Sequence, residues 1–160
     1  MRVFTFLCFL LCSAYVSAES ILPVGCQAVA VQGELVTLQA KKDSLVFIHN
    51  LTATDLWITH PVQNPGASAG WTTRLRGGNW SALMLNKGPF ILNCIESRPG
   101  HEQQIPCEGT IAVCKWKGKG VKIPDHDKGT TFWVAEDMSL AALTAAVGAR
   151  GFVISVTKAQ

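Results

Sequence analysis

Beyond its N-terminal segment the chain has no long apolar run, and none of its later stretches approaches the ~20 residues a membrane-crossing helix needs. Charge is scarce as well. Asp, Glu, Lys and Arg make up 16% of the sequence and leave a formal surplus of +3. That falls to about +2 once Arg2 is removed with the leader described below, too little to point to a nucleic-acid partner. Catalytic signatures are equally thin. The chain has no C-x-x-C or H-E-x-x-H spacing for zinc, no G-x-S-x-G elbow, no phosphate-binding glycine loop, and no paired carboxylates at obvious sheet ends. Without such a constellation, a binding or structural module is favoured over an enzyme, and no cofactor is implied.

What is present starts with "MRVFTFLCFLLCSAYVSAES". Arg2 supplies a positive first region, Val3 to Leu11 an apolar core, and Val16-Ser17-Ala18 a small-residue cleavage site. Residues 1–18 therefore read as a secretory signal, and residues 19–160 as a single disulfide-bonded, β-rich domain exported to the periplasm, the envelope or the exterior. Cys8 and Cys12 fall inside the signal, each preceded by Leu rather than the small residue a lipid attachment site requires.

Four cysteines remain: Cys26, Cys94, Cys107 and Cys114. An even number in an exported chain argues for two disulfides. If Gly109 to Trp116 is extended, strand rise sets Cys107 roughly 20 Å or more from Cys114, beyond the ~4.4–6.8 Å Cα spacing of a bridge. Two connectivities survive. Cys94–Cys107 with Cys26–Cys114 closes the segment from Ile95 to Pro106 and is preferred; Cys94–Cys114 with Cys26–Cys107 cross-links neighbouring strands.

Apolar residues mostly repeat every second position. "SLVFIHN" is apolar on both sides, as in a central strand covered on two faces. "DLWITHP", "NWSALML", "FILNCIE" and "TIAVCKWK" alternate too, and turn signals such as Asn64-Pro65-Gly66, Gly77-Gly78 and Arg98-Pro99-Gly100 separate them. Short strands at this spacing predict an antiparallel β-sandwich. The tail differs: "TTFWVAED" reads as a strand and "MSLAALTAAVGAR" as a helix. Asp137 or Ser139 would cap that helix, Leu140, Leu143 and Val147 would line one side, and Gly148 or Gly151 would stop it. "GFVISVT" is expected as a last strand, so one C-terminal helix lies between two late strands and packs on the sandwich.

Candidate binding residues lie in loops. Arg98 and His101 fall in the segment that the Cys94–Cys107 bridge would clamp at the surface, where recognition residues concentrate. Trp71 follows the small-residue loop "NPGASAG". The other tryptophans read as packing residues, His49 and His60 as strand-end residues with ordinary hydrogen bonds, and His126 as a loop residue. Asp125, Asp127, Glu136 and Asp137 look like loop and cap residues. Lys115, Lys117, Lys119 and Lys122 read as guards of an exposed β-edge, with anionic lipid head groups or cell-wall polymers as the alternative contact. "NLT" at Asn50 and "NWS" at Asn79 match the glycan-acceptor pattern, which matters only in a eukaryotic secretory pathway.

The blocks "NCIESRPGHEQQIPCEGTIAVCKW" and "FWVAEDMSLAALTAAVGARG" resemble the enhanced-entry EnhB-type proteins of Legionella and related bacteria. The resemblance implies an exported bacterial protein associated with host-cell entry and without a known catalytic activity. It supplies no active-site residues to carry over, and it makes the periplasm the first stop. The expected function is thus a non-catalytic binding or structural envelope protein with a protein or envelope component as partner. Two alternatives stand beside it. A cupredoxin-like electron-transfer domain would need two imidazoles, a thiolate and a weak thioether, yet the first Met after Cys94 is Met138. A cell-wall-acting enzyme is the other.

Overall fold

The computed structural model describes residues 22, 23, 25–61, 72–117 and 123–152. The leader, Trp71, Lys119, Lys122 and all of the expected last strand beyond Phe152 lie outside them. Among the described residues, ten strands build two antiparallel five-stranded sheets. The first contains β1 (Cys26–Val29), β9 (Ile111–Trp116), β3 (Ser44–Asn50), β6 (Trp80–Leu85) and β10 (Phe132–Met138), in that spatial order. The second runs β2 (Leu35–Ala40), β7 (Gly88–Arg98), β4 (Leu56–Thr59) and β5 (Thr72–Leu75), and β8 (His101–Ile105) also pairs with β7. β2 pairs with the first half of β7 and β8 with its second half, so the two lie end to end along one edge of that long strand.

Alternation explains the layering. In β2, Val36, Leu38 and Ala40 are buried while Leu35, Thr37 and Gln39 face outward. They meet Val46 and Ile48 of β3, Leu83 and Leu85 of β6, and Phe90, Leu92 and Cys94 of β7 in the core between the sheets. The opposite sides of β3 and β6 are buried too, because α1 (Leu140–Ala149) covers the outer face of the first sheet. Leu143 and Val147 of α1 pack with Phe47, Trp80, Met84 and Trp116 and are fully enclosed, each contributing about 1.5–3 kcal/mol by burial. This is the double coverage that "SLVFIHN" predicts. Ser139, not Asp137, caps the helix, its side chain accepting from the Ala142 amide, and Gly151 follows the end at φ +84°.

Sulfur joins Cys26 to Cys114 and Cys94 to Cys107, with Cα separations of 5.5 and 5.3 Å, the first of the two connectivities considered above. Bridges across 88 and 13 residues restrict the unfolded chain by about 4–5 and about 3 kcal/mol in the loop-entropy account. Such bonds persist in oxidising compartments, so the two bridges fit a protein exported from the cytoplasm. Among the described residues no helix is long and apolar enough to cross a membrane.

Two sequence expectations need correction. β9 is paired on one side by β1 and on the other by β3, so Lys115 guards no edge. The segment from Ile95 to Pro106 is no irregular loop but the greater part of a β-hairpin, and its bridge is enclosed in the core, with Cys94 and Cys107 both fully buried.

Candidate functional site

The β7–β8 hairpin turns at Pro99-Gly100, between the paired residues Arg98 and His101. Proline presets φ at the first turn position, and Gly100 takes the second at φ +79°, where a side chain would be strained. At its base the hairpin is closed by Cys94–Cys107. The Ser97 amide donates to the Asp55 carbonyl at 2.9 Å and anchors the flank to the residue preceding β4.

Beside the turn lies a depression of about 630 Å³, lined by Asp55, Trp57, Arg74 and residues 97–102. Sheet register assembles it: Trp57 sits opposite both Arg74 of β5 and Ile95 of β7. Arg74 donates to the Asp55 carboxylate, and Arg98 Nη2 donates to Glu96 Oε1 at 2.9 Å. Their side chains are 55% and 66% exposed. Pairs this open to water contribute ~0.2–1 kcal/mol and leave both guanidinium groups free to exchange partners. His101 and Glu102 are exposed, whereas Trp57 is half-buried with its indole nitrogen turned inward, unpartnered among the described residues.

Of the sequence candidates, Arg98 and His101 come together here, and Trp71 lies outside the described residues. Asp55, Trp57 and Arg74 were not apparent as site residues because Trp57 and Arg74 arrive on other strands and Asp55 just before one of them. His49 and His60 do not join them. His49 stacks on Trp80 and His60 on Phe90, with His60 Nδ1 2.6 Å from the Ile91 carbonyl. Burial pushes the His49 imidazole below its ordinary value, against a backbone hydrogen bond at Gly78 that raises it.

Cys94 has no thiolate to offer copper because its sulfur is bonded to Cys107. No group of three or more His, Cys, Asp or Glu among the described residues is arranged to hold an ion.

The sequons also change meaning. Asn50 is buried, its amide nitrogen donating to the Thr54 and Leu75 carbonyls at 2.7 and 2.9 Å, and its oxygen accepting from the Thr52 amide and hydroxyl. Asn79 donates to the Asp137 carboxylate at 2.8 Å. Both asparagines hold loops in place.

Compared with known proteins, the chain matches no family model, no curated protein and no solved structure.

Proposed function

We propose that this chain is an exported, non-catalytic binding domain of the bacterial envelope, and that it captures a protein or envelope partner at the depression beside the β7–β8 hairpin. One observation carries the reading. Two exposed, loosely paired arginines, a histidine and a tryptophan converge beside a turn whose base is fixed by a buried disulfide. A hairpin ordered in advance loses less entropy on binding, and arginine and tryptophan are the residues that most often dominate binding energy. The likeness of the cysteine-bearing block and the tail to EnhB-type proteins adds periplasmic export and promotion of host-cell entry to the proposal.

The test uses oxidised, exported protein as bait against envelope extracts, and follows one retained component through purification. Arg98→Ala combined with His101→Ala should weaken its capture by about tenfold or more, the effect of removing hot-spot contacts. A paired substitution on the far side, at Thr144 and Arg150, should leave capture unchanged. Equal capture by both variants would remove the hairpin from the binding surface.

A further inference from the structure

We propose that the cleft between β2 and β9 binds a short-chain carboxylate, its apolar tail among Val29, Leu38, Val46 and Leu85 and its head on the Lys115 ammonium. Lys115 follows Ile111 and Val113 on the side of β9 that faces the core, and both of those residues are buried between the sheets. The inward row thus ends on a cation where a hydrophobic residue would complete the core. Next to it lies a cavity of about 230 Å³, lined mainly by apolar side chains. That is below the ~300–1,000 Å³ of sites for drug-sized ligands, so it suits a single short tail.

Charge selects the head group. The Lys115 ammonium reaches the Gln39 carbonyl only at 3.5 Å, and no carboxylate lies within ion-pair distance of it among the described residues. Burial, followed by repulsion from Lys117, Lys42 and Lys41, lowers its pKa. Lys115 thus stands at the edge of an apolar slot with three more lysines close enough to repel it, and none of the four forms an ion pair among the described residues, a setting that an amphiphilic anion complements at both ends. The place is separate from the hairpin depression. Gln39 pairs with Pro89 at the start of β7, and the turn follows Arg98 at its end, roughly 30 Å away by strand rise.

The experiment titrates the oxidised protein with sodium octanoate and, separately, with 1-octanol, reading methyl resonances by NMR. Octanoate should give saturable shifts centred on Val29, Leu38, Val46 and Leu85, and octanol should bind about tenfold or more weakly, as loss of one charge-assisted hydrogen bond implies. Lys115→Met should weaken octanoate by a similar factor with an unchanged circular-dichroism spectrum. The comparison of octanoate with octanol needs only the unmodified protein, so it decides the matter even if Lys115→Met does not fold. Absence of saturable octanoate binding, equal affinity for octanol, or full affinity in a folded Lys115→Met variant would overturn the proposal.

Discussion

Asp137 clasps Arg76 across the seam between β10 and the turn that joins β5 to β6. Its carboxylate accepts from the Arg76 amide at 2.8 Å and from Arg76 Nε at 2.7 Å, while Asn79 Nδ2 donates to the same group at 2.8 Å. Asp137 adopts φ +52°, a left-handed conformation that aspartate tolerates better than most side chains, at an irregularity in the β10–β6 pairing. The sequence marks it only as a loop or cap residue, yet it ties the edge of the first sheet to the second.

Asp137 should make the fold acid-sensitive. Burial alone would raise its carboxyl, but the hydrogen bonds from Asn79 and Arg76, together with the Arg76 charge, outweigh that and hold it below its usual value. A carboxyl lowered on folding stabilises fully above the unfolded value of about 3.9, and the benefit is lost as pH falls through the folded value. Urea unfolding between pH 7 and pH 3 should therefore show a drop below about pH 4 that is smaller in Asp137→Asn.

His49 acts in a higher window. Its folded pKa lies below the ordinary value of about 6.5, so the unfolded chain binds the proton more readily. Stability should be complete above about pH 6.5 and decline as pH falls from there through the folded value. His49→Gln should flatten this part of the profile in thermal unfolding measured from pH 8 to pH 5.

Asn50 should be intolerant of apolar replacement despite its sequon. Asn50→Leu leaves the Thr54 and Leu75 carbonyls and the Thr52 amide without their partner, at a cost of about 2–4 kcal/mol in chemical denaturation. Expressed through a eukaryotic secretory pathway, the folded chain should carry no glycan at Asn50, as peptide mass spectrometry would show.

Trp57 gives the opposite expectation. Its buried indole nitrogen has no partner among the described residues. Trp57→Phe removes that donor and retains an aromatic ring, so stability should hold or rise by up to about 1 kcal/mol in thermal unfolding. A loss of more than ~1 kcal/mol would show that ring volume matters more than the unpaired N–H.

The sandwich was legible wherever one or both sides of a strand are apolar, as in β3, β6, β7 and β9. β8, "HEQQI", is almost wholly exposed and carries no alternation to detect, and β5, "TTRL", is too short to show one. β2 was different: Val36, Leu38 and Ala40 alternate cleanly and offered a signal that could have been used. Arg98 and His101 could be located from a local Pro-Gly turn. Asp55, Trp57 and Arg74 could not, because only the register of β4 against β5 and β7 brings them beside that turn. The role of Lys115 was hidden for the same reason, since a lysine on an alternating strand reads alike at an edge and over a cleft.

Peptide mapping of the exported protein, digested without reduction after free thiols are blocked, tests the covalent frame of this account most directly. It should yield two bridged species, one linking Cys26 to Cys114 and the other Cys94 to Cys107, with all four sulfurs protected from alkylation. Recovery of four alkylated cysteines, or of a Cys94–Cys114 species, would contradict it and leave the hairpin without its clamp.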